Sequence, residues 1–175
     1  MAVYHINTSE LKSRAEELCA GDEVFLSGVV YTARDAAHKK ITALLDDRKD
    51  LPFDLDGACI YYAGPTPARP GMPIGSCGPT TSSRMDVFAP RFLDLGLCAM
   101  IGKGQRSKEV GDAVCRNKAV YFCSIGGAGA LAAMCIKDCE VIAFPELGCE
   151  SVKKLVLEEF PVYVALDCKG GSLFE

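Results

Sequence analysis

Two hydrophobic periods run along this chain, and the change from one to the other marks its elements. Residues 24–31 are apolar and β-branched, which predicts a strand. Thr8-Ser9-Glu10-Leu11 opens a helical segment with Leu11, Ala15 and Leu18 on one face, closed at Ala20-Gly21. Residues 34–45 carry Ala37, Ile41 and Leu44 or Leu45 at helical spacing, and 46–50 are a charged, solvated connection. A short strand is expected at 58–62. From Gly64 to Pro79, sixteen residues hold five prolines and four glycines, too irregular for a regular element. Long irregular stretches inside compact domains are often functional. After Arg84 the pattern predicts a helix to about Asp94.

Strands and helices then alternate. Strands are expected at 98–101, 119–124, 141–144 and 162–166, and helices at 107–117, 129–135 and 151–158. That alternation predicts an α/β fold with several parallel pairings, preceded by a more β-rich portion. No fixed-period repeat or linker divides the chain, so residues 1–175 are read as one compact domain, a size that can bury a substantial core.

Composition narrows the function classes. Hydrophobic residues make up 49% and charged residues 24%, ordinary for a soluble globular chain. A formal charge of −4 argues against a general nucleic-acid binder. No apolar run is long enough for a membrane span, and the N-terminus lacks a secretion pattern, so a cytoplasmic protein is expected. The ten cysteines then belong to a reducing compartment. They show no C-x-x-C spacing, and most sit in apolar surroundings, where cysteine behaves as a small hydrophobe.

Chemistry gathers elsewhere. Gly78-Pro79-Thr80-Thr81-Ser82-Ser83-Arg84-Met85-Asp86 joins a Gly-Pro break to four hydroxyls and an arginine that no apolar stripe requires. The hydroxyls suit a helix N-cap near Ser82 or Ser83, and a helix start suits an anion. Thr80 and Arg84 can grip and protonate a carboxylate; a capped helix with a surface arginine is the plain alternative. Arg34 directly follows a predicted strand, where α/β sheets bind ligands, and can clamp a carboxylate. Asp35 is read as a cap or as the partner that orients Arg34. His38, one turn on, is the plausible imidazole acid–base group, with a structural or supporting role favoured.

Gly102-Lys103-Gly104 also follows a strand and exposes an ammonium, but it lacks the phosphate-loop pattern. Gly127-Ala128-Gly129-Ala130 resembles a dinucleotide fingerprint, though close helix–sheet packing is the favoured reading.

The order of Arg34-Asp35-Ala36-Ala37-His38, Tyr61-Tyr62-Ala63-Gly64-Pro65, Gly78 to Asp86, Gly102-Lys103-Gly104, Gly126-Gly127 and Glu146-Leu147-Gly148 resembles one family. It is that of the β subunit, or C-terminal domain, of class I iron–sulfur fumarate hydratases and L-tartrate dehydratases. The likeness runs from about Gly21 to Phe174.

The resemblance implies a swivelling β/β/α domain that closes over a [4Fe-4S] cluster held by a separate iron–sulfur α subunit, with no cofactor or metal bound by this chain. It implies that Arg34 and Arg84 clamp the carboxylates of a C4 dicarboxylate, that Lys103 is a third cationic contact, and that Arg84 is catalytic together with Thr80. Thr80 would exchange the proton beside a carboxylate, with Asp35, His38 and Thr81 in support. The isolated chain is expected to be inactive and to self-associate.

The function expected is a hydro-lyase subunit that interconverts fumarate and L-malate. Tartrate dehydration is the alternative within the same chemistry. A nucleotide-binding module and a non-catalytic assembly domain are the alternatives outside it.

Overall fold

In the computed structural model, which describes residues 1–174, two long antiparallel strands organise the chain. The final residue of the expected domain, Glu175, lies outside the described residues. The strands are β1 (Val3–Asn7), β2 (Glu23–Thr32), β3 (Cys59–Tyr61), β4 (Ala99–Gly102), β5 (Val120–Cys123), β6 (Ile136–Ala143) and β7 (Val152–Leu166). The helices are α1 (Leu11–Arg14), α2 (Asp35–Asp46), α3 (Ala89–Asp94), α4 (Lys108–Arg116) and α5 (Gly129–Met134).

β2, β3, β4 and β5 pair parallel in that order. β7 pairs antiparallel with both β5 and β2, so these five strands close into a small barrel. β1 extends the parallel set beside the first half of β2, and β6 lies along the first half of β7. The fold is therefore mixed α/β, as expected, but the more β-rich portion, β6 and the long β7, follows the parallel strand–helix units in the chain instead of preceding them.

Period-two alternation divides the short parallel strands between two cores. Cys59, Tyr61, Ala99, Ile101, Val120 and Phe122 face one apolar cluster, together with Leu26, Leu155 and Val162. Ile60, Met100 and Tyr121 face the other, beneath α2, α3 and α4. Burial on both faces explains why β3 and β4 read as unbroken apolar runs.

Two sequence expectations are corrected. Residues 151–158 are not a helix: Ser151 is a bend and 152–158 are the first half of β7. Leu155 and Leu157 point inward, and both strand edges are taken by β2 and β6, so sheet pairing overrides any local helical tendency. Glu158-Glu159 is a bulge inside one strand, not a boundary. Glu159 takes a positive φ of 50° and its N–H donates to Ser27 Oγ at 3.0 Å.

The expected helix from Arg84 to Asp94 is also two pieces. A single 3₁₀ turn covers Ser82–Met85, and α3 begins only at Ala89, with Pro90 in its first turn. Between them Asp86 is drawn into a buried ion pair with Arg106, Nε to Oδ1 2.6 Å, and also accepts the Ser107 N–H at 2.7 Å. The helix start expected near Ser82 is therefore a single 3₁₀ turn, with Thr81 at its N-cap making no side-chain capping hydrogen bond, and not the first turn of a helix that reaches Asp94.

At the other candidate motif, α5 leads into β6, which lies beside β7 and not beside β5. The Gly127-Ala128-Gly129 segment thus has no parallel βαβ unit around it. Its third position packs closely instead: a Cβ on Gly129 would stand 2.4 Å from Ser76 Oγ and 3.0 Å from Gly78 N.

Candidate active site

Parallel pairing sends β2, β3, β4 and β5 to the same edge of the barrel, where their C-terminal ends form the usual ligand edge of a parallel sheet. Arg34 follows β2 and Lys103 follows β4. The Gly78–Arg84 segment is laid across these ends. Pro79 bridges Ala63 in antiparallel fashion, the Thr80 N–H donates to the Tyr62 carbonyl at 2.7 Å, and Thr81 pairs with Lys103. Ser82 completes the attachment: its N–H donates to the Lys103 carbonyl at 3.0 Å, and its Oγ accepts the Lys103 N–H at 3.0 Å.

Gly102 makes this close approach possible. A Cβ there would fall 1.9 Å from Ser82 Oγ and 2.9 Å from the Tyr62 ring, so any side chain would lift the loop. Tyr121 secures the same point from β5, its hydroxyl 2.9 Å from Ser82 Oγ and donating to the Gly104 carbonyl at 2.7 Å. Ser82 is buried and Thr80 half-buried, while Thr81, Ser83 and Arg84 face solvent.

Arg84 reaches from this loop to the start of α2. Its Nε and Nη2 donate to Asp35 Oδ1 and Oδ2 at 3.0 and 2.8 Å, a planar two-point fork. Asp35, read as a cap or as the partner that orients Arg34, is the first residue of α2 and not its N-cap; its hydrogen bonds go to Arg84, and Arg34 Nε lies 3.9 Å from Oδ2. Arg34 Nε is also 3.9 Å from Glu150 Oε1, and it is buried without a hydrogen-bond partner. The Arg34 side chain lies against Gly64, where a Cβ would stand 3.0 Å from Nη1. Lys103 extends over the β5–α5 connection, with Nζ 3.8 Å from a Cβ built on Gly126.

The structure thus brings Arg34, Asp35, Thr80, Thr81, Arg84 and Lys103 to one barrel edge. His38 is not among them at the surface. It is buried, stacked on Phe92 at 5.2 Å between ring centres, and its Nδ1 lies 2.8 Å from the Arg34 carbonyl. Burial lowers its pKa to about 4, the Arg34 carbonyl opposing and the Arg106 charge adding to the shift. A neutral imidazole with Nδ1–H toward Arg34 fits these surroundings; Nε2 then has no partner. His38 thus packs inside the domain, its ring beside the Arg34 carbonyl and not turned to the barrel edge.

Sequence reasoning missed Glu150, Ser82 and Tyr121. Ser82 was read only as a possible helix cap within a run of hydroxyls, and Tyr121 as one apolar residue of a strand. Glu150 followed the Glu146-Leu147-Gly148 motif, but nothing local tied it to Arg34.

In electrostatic terms, Arg34, Arg84 and Lys103 face two carboxylates, Asp35 and Glu150. The balance favours an anion, and the two forks and one ammonium suit separated carboxylates. The site is open, with 49% of the Arg84 side chain exposed. Among the described residues, no group of three or more His, Cys, Asp or Glu side chains converges to hold a metal, and the cysteines are free. The residues present therefore do not fit an iron–sulfur cluster.

Comparison with known proteins gives this geometry a context. The chain is 38% identical over 168 residues to the anaerobic class I fumarate hydratase of Escherichia coli K12, covering 95% of this chain and 31% of that protein. It is 38% identical over 167 residues to fumarate hydratase 2 of Leishmania major, covering 94% of this chain and 29% of that one. It is 39% identical over 170 residues to a putative L(+)-tartrate dehydratase subunit β of Methanocaldococcus jannaschii, covering 94% and 87%. The chain thus spans about a third of the length of the two fumarate hydratases and most of the tartrate dehydratase subunit. The model of the fumarase C-terminus family matches residues 2–175, and the chain belongs to that family.

Proposed function

We propose that this chain is the β subunit of a two-subunit hydro-lyase that reversibly hydrates fumarate to L-malate in the cytoplasm. The observation that carries the reading is the convergence of Arg34, Arg84, Lys103 and Thr80 at the C-terminal ends of four parallel strands. Arg34 and Arg84 grip the two carboxylates, and Lys103 stabilises the negative charge that grows on one of them as the neighbouring carbon gains or loses a proton. Thr80, held by the Tyr62 carbonyl at the rim, carries the hydroxyl that exchanges that proton. A threonine hydroxyl is a weak base at its ordinary pKa, so the nearby cations must stabilise its ionised form.

The openness of the site supports a second chain as the missing wall. In this reading the [4Fe-4S] cluster belongs to an α subunit, over which this domain closes by a swivelling motion. The isolated chain is then inactive and, with its rim uncovered, self-associates.

Tartrate dehydration is the second reading. It is favoured by the near-complete coverage of the M. jannaschii subunit. The deciding assay mixes the chain anaerobically with its partner and offers fumarate and L-tartrate in parallel. Turnover of fumarate that is lost in Arg84→Ala and Thr80→Ala supports the proposal. Turnover of tartrate alone replaces it with the second reading, and full activity in both variants overturns the assignment of the site.

A further inference from the structure

α2 begins without a side-chain cap of its own. Arg34 occupies the N-cap position in an extended conformation (φ −115°, ψ −161°) and makes no capping hydrogen bond. The acceptor comes from a distant loop: Glu150 Oε1 takes the Ala36 N–H at 3.4 Å and lies 3.9 Å from Arg34 Nε. One carboxylate therefore serves both the first turn of α2 and the guanidinium that precedes it. A negative charge at this end of the helix is also favoured by the helix dipole.

The loop that carries Glu150 is itself held. Lys153, at the start of β7, is buried, and its ammonium donates to Ser151 Oγ at 2.7 Å and points at the carbonyls of Gly148, Cys149 and Ser151 at 3.1–3.3 Å. Thr32, the last residue of β2, donates its hydroxyl to the Ser151 carbonyl at 3.3 Å and accepts the Lys153 N–H at 3.1 Å. Outside, Lys40 of α2 pairs with Glu146 at 2.5 Å. Glu150 is thus fixed to the two elements, β2 and α2, that flank Arg34.

We infer that Glu150 is the positioning residue for Arg34: it aims the guanidinium at the ligand and holds the start of α2 in place. This rests on the proposed role of Arg34 as a carboxylate clamp. Glu150 and Asp35 both stand 3.9 Å from Arg34 Nε, but the hydrogen bonds of Asp35 go to Arg84, and the two acids together leave Lys103 to supply the excess positive charge of the site.

Two arms test this. In the first, arginine side-chain NMR follows the Arg34 Nε–H of the isotopically labelled chain, identified by its loss in Arg34→Lys. Glu150→Ala should speed its exchange with water about tenfold, with Glu150→Gln between it and the parent, because the amide keeps the acceptor for Ala36 but not the charge. Exchange unchanged in both variants overturns the inference, and this arm needs no activity.

In the second arm the chain is assembled with its partner. Glu150→Gln should raise KM for the dicarboxylate about tenfold while kcat changes less than threefold, the signature of a lost binding contact. A merely structural loss would lower the active fraction, reducing kcat with KM unchanged, and that result overturns the inference. A parent enzyme that binds neither fumarate nor tartrate defeats the functional reading and leaves the first arm to decide the role of Glu150.

Discussion

Asp35 holds Arg84 by both oxygens, at 3.0 and 2.8 Å, across a sequence separation of 49 residues. The fork uses the Nε–Nη2 edge of the guanidinium, so Nη1 and the second hydrogen on Nη2 remain for a ligand. An acid that pairs with a guanidinium in this way fixes its plane without consuming it.

Asp35→Asn should therefore affect activity more than stability. The pair is partly exposed, and such pairs contribute about 0–1 kcal/mol to folding. The assembled enzyme is expected to lose about tenfold in kcat/KM, while the melting temperature of the chain moves by only a few degrees. Unchanged kinetics alongside an unchanged melting temperature would show that the fork is incidental.

Gly102→Ala should detach the loop. The new methyl meets Ser82 Oγ at 1.9 Å and the buried Tyr62 ring at 2.9 Å, and forced overpacking costs about 1–3 kcal/mol. Urea denaturation reads the loss of stability directly. Gly104→Ala is the control for crowding, because no atom lies within 4 Å of a Cβ there, although its positive φ of 80° brings a cost of its own. Equal activity in Gly102→Ala and the parent would contradict the close approach of Ser82.

The buried Asp86–Arg106 pair makes a sharper stability prediction. Arg106 is fully enclosed, with Tyr62 and Tyr121 rings against its guanidinium at 5.3 and 4.8 Å. Asp86→Ala strands that charge and should cost about 3–5 kcal/mol. Removing both partners, as in Asp86→Ala with Arg106→Met, should recover part of the loss. A double variant less stable than Asp86→Ala alone would refute this account.

His38 sets an acid limit on the fold. Its pKa falls from the ordinary 6.5 to about 4, so the unfolded chain binds the extra proton first as pH drops. The stability held above pH 6.5 is lost progressively as pH falls toward about 4, by about 3 kcal/mol at most. Asp35 on its own helix opposes the shift and Arg106 across the core reinforces it. Comparing His38→Gln with the parent by denaturation at pH 7 and pH 4 isolates this contribution. The parent's advantage should shrink by that amount, and a difference independent of pH would reject the buried neutral imidazole.

Much of the site was legible locally. Arg34 and Lys103 each follow a short apolar run, and a residue just past a parallel strand sits at the ligand edge whatever the rest of the chain does. The run Thr80 to Arg84 was likewise visible, because hydroxyls and an arginine after Gly-Pro satisfy no apolar stripe. What local pattern hid was the partnership of these groups. Asp35 stands next to Arg34, and adjacency suggested that pair, yet the side chain turns to Arg84 from a different loop. His38 shows the same limit, since helical spacing put it on the Arg34 face, while the aromatic rings of Phe92 and Tyr62 that enclose it belong to other segments.

The amino-acid sequence by itself determined the parallel strand–helix units, the cations at their ends and the likeness to one family. Those features depend on short-range propensity and on residue identity. Tertiary structure alone decided that 152–158 is strand, that the sheet closes through β7, and that Glu150 reaches a helix whose bonded N–H is 114 residues away. Each of these follows from hydrogen bonds and charges between distant segments. Such contacts can override local preference because a buried strand edge or an unpaired buried charge costs more than the conformational bias of a few residues.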